Sequence, residues 1–469
     1  MSAHSMLDIV FSHILRVVTP LQEDWQIRFA IINDLRSIVD TVESLRGTTV
    51  EPFGSFVSNL FTRWGDLDIS IELSNGFHIS SVGKKQKQIL LGDVLKALRI
   101  KGGWSNLQFI PNARVPILKF NRQGISCDIS INNLPGQMKS KILLWINRID
   151  DRFHDMVLLV KEWAKAHNIN NSKAGTFNSY SLSLLVMFHF QTCIPAILPP
   201  LKDIYPGNMV DDLRGVRADA ENLIAEICDA NIKRFISNRA RSMNRKSVAG
   251  LFVEFTRKFS QMDSWATQLG ICPYTGEWEQ IENNTTWLPK TYAIFVEDPF
   301  EQPQNTARSV SARQLKKISE TFLKTYSLLT SNNQNQESLL HDLAPTYVVK
   351  RITRPPIRNY GGGYFQPTQP QVSTRVGRPQ LPTERHFQNA GQGTSSNRSC
   401  INGHKQVHKV TKSNSSSSNG HIMVREGTSS NSSSSNGHIM VHKGTNSNSS
   451  SSNGHIKAHK GQQIWRPKN

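Results

Sequence analysis

Two aspartates stand two residues apart in Gly65-Asp66-Leu67-Asp68-Ile69-Ser70-Ile71. Side chains alternate faces along a strand, so Asp66 and Asp68 point one way while Leu67, Ile69 and Ile71 point into a core. Paired carboxylates repel unless a cation or proton intervenes, and a divalent metal is the natural occupant. A third carboxylate, Asp128, lies in Cys127-Asp128-Ile129-Ser130-Ile131, where the same alternation sets it opposite Cys127, Ile129 and Ile131. Upstream, Glu51-Pro52-Phe53-Gly54-Ser55-Phe56-Val57 reads as a strand that ends at a glycine turn before a helix. Such a turn offers backbone N–H groups, a hydroxyl and the positive end of a helix dipole to a phosphate. Taken singly, an Asp-x-Asp is commonly a solvated strand face and a serine at a helix start a simple cap. Together and in this order they suit two-metal chemistry, in which a pair of divalent ions stabilises the attacking and leaving oxygens of an in-line displacement at phosphorus.

Farther along, Lys161 and Lys165 in Leu158-Leu159-Val160-Lys161-Glu162-Trp163-Ala164-Lys165 are four apart and share one helix face, where two ammonium groups can meet a triphosphate. Read alone, they are equally a pair of solvated lysines beside Glu162. Gly175-Thr176-Phe177-Asn178-Ser179-Tyr180 leads into another helix, with Ser179 placed to cap it or bind phosphate and Tyr180 to stack on a base.

These residues need a frame. Residues 1–45 carry apolar stripes at helical spacing, Leu7, Val10, Phe11, Ile14 and Leu15, then Ile27, Phe29, Ile31, Ile32 and Leu35, which predicts two helices parted near Thr19-Pro20 and packed with a helical domain. Residues 46–136 change period and predict a small α+β catalytic domain, with strands at 66–73, 107–110, 115–120 and 126–132 around a helix at 85–100. From 137 to 335 helical spacing returns, clearest in 153–167 and 179–191. From 346 to 469 the composition shifts to Pro, Gly, Ser, Asn, Gln, Arg and Lys, with too little apolar surface to offset the entropy of ordering.

That tail holds most of the +19 formal charge, with 17 Lys+Arg against 2 Asp+Glu, a net of +15 that leaves +4 for the rest. The tail arginines Arg351, Arg354, Arg358, Arg375 and Arg378 serve either as a nonspecific, salt-sensitive grip on nucleic acid or as solubilising charge. Asn-Gly-His recurs at Asn402, Asn419, Asn436 and Asn453, a period of 17, between Ser/Asn runs too polar to stack as a solenoid. The five cysteines, Cys127, Cys193, Cys228, Cys272 and Cys400, are scattered without a C-x-x-C pair, which argues for a reducing, intracellular compartment and against a structural zinc. The most apolar stretch, 180–201, is broken by His189, Gln191 and three prolines and does not read as a membrane span. No basic, apolar leader opens the chain, so secretion is not expected.

The ordered set of Gly54-Ser55, Asp66-x-Asp68 and Asp128 resembles the polymerase-β-like nucleotidyltransferase superfamily. Phe295-Val296-Glu297-Asp298-Pro299-Phe300-Glu301 resembles the poly(A)-polymerase-associated signature of terminal uridylyltransferases and non-canonical poly(A) polymerases. The resemblance spans about residues 20–330. Within it, Val50-Glu51-Pro52-Phe53-Gly54-Ser55-Phe56-Val57-Ser58, Trp163-Ala164-Lys165-Ala166-His167-Asn168-Ile169, Thr285-Thr286-Trp287-Leu288-Pro289-Lys290 and the closing Gln463-Ile464-Trp465-Arg466-Pro467 are similar to the plant group that uridylates unmethylated small RNAs.

The resemblance implies an α+β fold, a small mixed-sheet nucleotidyltransferase domain beside a mainly helical domain, with a disordered tail. It implies that Asp66, Asp68 and Asp128 hold Mg²⁺ or Mn²⁺ and that Asp128 activates the RNA 3′-hydroxyl. It further implies that Gly54, Ser55, Lys161, Lys165 and Ser179 contact the triphosphate of UTP, Asn133 the nucleotide, Tyr180 the face of the base, and Asp298 and Glu301 its polar edge. The implied partners are RNA 3′ ends with free hydroxyls, blocked by a 2′-O-methyl group; Trp465, an isolated aromatic near the C-terminus, is a candidate docking motif for an Argonaute-type effector of small RNAs, or equally a lone tail tryptophan. The implied location is cytoplasm and nucleus. Uridine-selective relatives carry a histidine six residues after the signature aspartate, whereas this chain carries Gln304. Adenylation therefore stands as the alternative reaction, and an inactive RNA-bound adaptor as the alternative of another class.

Overall fold

Alternating buried and exposed residues build one sheet, and the side facing away from its apolar core is where the acidic residues fall. In the computed structural model, residues 3–354 are described apart from 74–77, 80–81, 239, 288–290 and 333–334. The 17-residue repeats, Cys400, Trp465 and the arginines from Arg358 onward lie outside the described residues.

Helices α1 (Ala3–Val18) and α2 (Gln22–Val39) come first. Strand β1 (Thr49–Phe53) then runs into the single-turn helix α3 (Gly54–Val57), and β2 (Leu67–Glu72) follows. After helix α4 (Lys84–Lys101) come β3 (Ser105–Ile110), β4 (Ile117–Arg122) and β5 (Ile125–Ile131). The sheet order is β1-β2-β5-β4-β3, with β2 and β5 parallel and the other pairs antiparallel. The helical part comprises α5 (Leu134–Asn147), α6 (Asp151–Ala166), α7 (Ser179–Thr192), α8 (Met209–Asp212), α9 (Arg217–Ser237), α10 (Val248–Phe259), α11 (Met262–Trp265), α12 (Ala312–Thr330), α13 (Gln336–Leu343) and α14 (Thr346–Thr353). A two-stranded ribbon, β6 (Leu269–Cys272) and β7 (Glu277–Gln280), precedes the Asp298 signature.

Leu67, Ile69 and Ile71 of β2 and Cys127, Ile129 and Ile131 of β5 are fully buried, as their alternation predicts. Each large aliphatic side chain so buried contributes about 1.5–3 kcal/mol. A one-residue slip of either strand would expose all three of its apolar residues, so burial fixes the register.

Two expectations are corrected. The two N-terminal helices do not both pack with the helical part. Leu7, Val10, Phe11 and Ile14 of α1 join its core, whereas Ile31, Ile32 and Leu35 of α2 join the core of the sheet. Each stripe finds its partner by proximity in the fold, which periodicity does not encode. The chain also stays folded past 346. Pro345 precedes α14, whose Val348 and Val349 are buried against α1 and α13 despite the polar composition around them.

Helix α14 also reaches α6 and the segment ahead of β2. The Tyr347 hydroxyl donates to Glu162 Oε2 at 2.5 Å, and Glu162 is fully buried. The Tyr347 ring packs edge-on against Trp64 at 5.0 Å, and the Arg351 guanidinium lies over the Trp64 ring at 4.9 Å. Tyr347→Phe keeps the ring on Trp64 and removes only the hydroxyl. Loss of a hydrogen bond to a buried charged group is expected to lower stability by about 1.5–3 kcal/mol. Urea denaturation of the two proteins measures it, and an unchanged midpoint would show that Glu162 does not depend on this bond.

Candidate active site

Parallel pairing of β2 with β5 puts Asp68 directly beside Asp128, and antiparallel pairing of β1 with β2 puts Phe53 beside Asp68. The glycine turn thus comes down over the carboxylates. Gly54 has φ +70°, and a Cβ there would collide with the Asp68 carboxylate, so both backbone shape and space call for glycine. The sequence places Asp66 on the strand, but the strand begins one residue later; Asp66 sits just before Leu67 and is exposed.

What aims Asp66 is Arg28, which the sequence reading passed over. Its fully buried guanidinium donates to the carbonyls of Arg63 at 3.1 Å and Gly65 at 2.6 Å, and it lies 4.6 Å over the Phe61 ring. The signal was there, an arginine on the stripe that continues through Ile31, Ile32 and Leu35.

The electrostatics of the cluster are those of charges short of a partner. Asp68 is pushed up to about 7 by burial first, then by the neighbouring Asp128 and Asp66. Asp128 is also raised, chiefly by burial, although Lys119 Nζ sits 2.6 Å from its Oδ1. Lys119 is missed by motif reading but legible from strand period, because Leu118 and Phe120 of β4 are buried and Lys119 must face the carboxylates. The donor set is all hard carboxylate oxygen, which suits Mg²⁺ or Mn²⁺. Among the described residues no three His, Cys, Asp or Glu side chains close into a preformed metal cage.

Next to Asp68 lies a cavity of 380 Å³ between the sheet and the helical part. Its lining includes Gly54, Ser55, Asp68, Lys161, Ser179, Tyr180, Asp298, Glu301 and Gln304, nine of the residues singled out from sequence. A larger cleft of 890 Å³ lies between α2 and α4 and contains none of them.

The individual placements refine the expectations. The Gly54 N–H donates to Ser140 Oγ at 2.7 Å, and the Ser140 hydroxyl donates to Gly136 O, so α5 braces the turn. Lys161 is 6% exposed, with its ammonium donating to Leu60 O at 2.6 Å; burial first, then Lys165, lowers it to about 7. Lys165 is drawn away from the cavity to Glu162 at 2.7 Å. Asn133 is likewise outside the lining and caps α5, its Oδ1 accepting from Gly136 N at 3.3 Å. The cap of α7 is Asn178, accepting from Ser181 N at 2.7 Å, while Ser179 exchanges hydrogen bonds with Asn170.

At the far wall the Tyr180 hydroxyl donates to Asp298 Oδ1 at 3.1 Å, and burial first, then Asp298, raises its pKa. Lys139 of α5, another residue the sequence reading missed, bridges Asp298 and Glu301 at 2.5 Å each and stands 5.6 Å over the Tyr180 ring. Nothing local marks Lys139, because its partners are more than 150 residues away.

Protein HESO1 of Arabidopsis thaliana is 58% identical over 356 residues, covering 76% of this chain and 70% of that protein. The chain belongs to the plant terminal uridylyltransferases of the polymerase-β-like superfamily. The family model "Poly(A) RNA polymerase, mitochondrial-like, central palm domain" matches residues 7–148. Poly(A) RNA polymerase GLD2 of Mus musculus is 30% identical over 246 residues, 52% of this chain and 47% of that protein. Two solved structures share the fold, each with a TM-score of 0.56. The structure of a cytoplasmic RNA terminal U-transferase is 22% identical and covers 73% of this chain and 99% of that one. The crystal structure of mtPAP in complex with UTP is 20% identical and covers 75% of this chain and 73% of that one.

The far wall of the cavity brings two carboxylates, Asp298 and Glu301, under one lysine. Lys139→Met would leave Asp298 and Glu301 side by side with no counter-charge. Removing one partner from so enclosed an ion cluster is expected to cost roughly 3 kcal/mol. Urea denaturation of the variant checks this, with Lys139→Arg expected to retain most of the stability.

Proposed function

We propose that this terminal uridylyltransferase tails small RNAs, and RNA fragments, whose terminal ribose has free 2′ and 3′ hydroxyls, and that the 380 Å³ cavity receives the UTP it transfers. The observation that carries the reading is the matched register of Asp68 and Asp128 beneath the Gly54 turn, at the edge of a cavity whose far wall presents Tyr180 and Asp298. Asp66 and Asp68 would hold two Mg²⁺ or Mn²⁺ ions and Asp128 one of them. Bound there, the ions stabilise negative charge on the attacking and leaving oxygens at the α-phosphate.

The chain's own residues do the positioning. Asp128 would accept the proton of the RNA 3′-hydroxyl, with Lys119, its counter-ion, giving way. Ser55 and the turn of α3 offer a hydroxyl and a helix start to the triphosphate. Lys161 reaches the cavity from α6, and Lys165 and Ser179 would join it by releasing Glu162 and Asn170. Tyr180 supplies a flat face for the base while Asp298, Glu301 and Gln304 meet its polar edge, with Asn133 holding the start of α5 nearby. Such fixed groups lower the barrier by orientation and charge stabilisation.

The family resemblance supports the remaining parts of the proposal: refusal of 2′-O-methylated ends, delivery by an Argonaute-type effector, decay of the tailed RNA, and action in cytoplasm and nucleus. Among the described residues no helix is long and apolar enough to cross a membrane.

The test gives purified protein, with Mn²⁺ or Mg²⁺, a matched pair of RNA oligomers with and without a 3′-terminal 2′-O-methyl group and each NTP separately. Extension of the unmodified RNA with UTP, and little with the methylated RNA, is expected; equal extension of both, or better use of ATP, would overturn the proposal. Asp68→Ala is expected to reduce the rate by on the order of 10²–10³-fold or more, the scale of losing a charge-stabilising group in a closed site.

A further inference from the structure

Gln304 sits in a loop that folds back on itself, with the Asp298 N–H donating to Gln304 O at 2.7 Å and the Gln304 N–H donating to Glu301 O at 2.9 Å. The backbone position of Gln304 is therefore set by the same segment that presents Asp298 and Glu301. Its side chain lines the cavity with Tyr180, Asp298 and Glu301. From the opposite wall, in the turn between β3 and β4, Arg114 reaches across and donates from Nη1 to Gln304 Oε1 at 3.1 Å. Arg114 lines the cavity too.

A guanidinium has five N–H donors, no acceptor, and stays charged at any working pH. A carboxamide facing it must show it the oxygen, because the amide nitrogen would set donor against donor. The two ends of a glutamine are otherwise nearly isosteric, and without such a neighbour the group turns either way at little cost. Held by its oxygen, Gln304 turns its two amide N–H donors away from Arg114. Among the described residues those N–H groups have no hydrogen-bond partner.

We propose that Arg114 positions Gln304 for base selection: by holding Oε1 it fixes toward the base an N–H that donates to the C4 carbonyl of uracil and meets, donor against donor, the amino groups at C4 of cytosine and C6 of adenine. This rests on the reading that the base lies between Tyr180 and the Asp298 loop. Recognition by hydrogen-bond direction does not need the bulk of a histidine at position 304. It discriminates because a mismatched base leaves two donors facing each other, each unpaired and partly desolvated. Sequence reading had treated Gln304 as a feature that loosens base choice. Paired with a residue 190 positions away, it becomes a directional one.

UTP against CTP is the decisive comparison, because the rings are equal in size and differ in hydrogen-bond sense at the 4-substituent and at N3, of which the Gln304 amide reads the former. Measuring kcat/KM for both nucleotides on one RNA, the Arg114→Ala variant is expected to lower the UTP/CTP ratio about tenfold, mostly through better use of CTP. Arg114→Lys, which is also donor-only, is expected to keep most of the ratio. Gln304→Glu keeps an acceptor for Arg114 but offers no donor to the base, and is expected to lower the ratio at least as far. A ratio in Arg114→Ala within about twofold of wild type would overturn the proposal, since the loss of a directional hydrogen bond exceeds that. A Gln304→Glu variant with the wild-type ratio would overturn it independently. Wild-type protein with no preference for UTP over CTP would overturn the underlying reading as well, and that result is read from wild type alone, so the two failures are distinguishable.

Discussion

The repulsion between Asp68 and Asp128 is the constraint on which the rest of the site depends. Parallel strands β2 and β5 meet in register, so two carboxylates share one level of the sheet in surroundings that keep much of the water out. The hydrophobic alternation that buries Leu67, Ile69, Ile71, Cys127, Ile129 and Ile131 leaves them no other face. Core formation therefore stabilises an arrangement that is locally unfavourable. The surroundings answer it with Lys119 beside Asp128 and with Arg28 pinning the turn that carries Asp66. Local conflict held in place by global packing is a common mark of a functional site.

The cavity beside this cluster has two walls of different character. The sheet side offers the carboxylates and the Gly54 turn, while the helical side offers Lys161, Tyr180 and the Asp298 loop. Contacts across the boundary are polar and specific: Ser140 to Gly54, Lys161 to Leu60, Arg114 to Gln304. Within the helical wall itself, Lys139 pairs with Asp298 and Glu301, and Lys165 with Glu162. The anionic and cationic side chains of this wall thus neutralise one another.

How much of this was legible in the sequence follows from the range of each interaction. Strand alternation within a few residues located β2 and β5 and gave the facing of Asp68 and Asp128 correctly. Helical spacing located α6 and α7 within a residue or two. Allegiance was not legible: α1 and α2 carry similar stripes, yet one packs on helices and the other on the sheet. Composition misled at 346, because two buried valines suffice for an eight-residue helix that has neighbours to lean on. Lys139 and Arg114 were invisible because their meaning lies entirely in partners far along the chain, whereas Lys119 could have been found from the period of β4. The poly(A)-polymerase-like and uridylyltransferase readings shared nearly every motif, and identity to a plant relative separated them where single residues did not.

The central claim is that the fold buries Asp68 at a cost that a divalent cation relieves. The most direct measurement pairs metal-free urea denaturation with Mn²⁺ binding, followed by electron paramagnetic resonance in the presence of a non-hydrolysable UTP analogue, for wild type and Asp68→Asn. The variant keeps the shape and loses the charge. The account predicts that Asp68→Asn is at least as stable as wild type without metal and binds Mn²⁺ at least about tenfold more weakly, since hard cations depend on carboxylate oxygen. A variant less stable than wild type without metal, yet binding Mn²⁺ equally well, would contradict it.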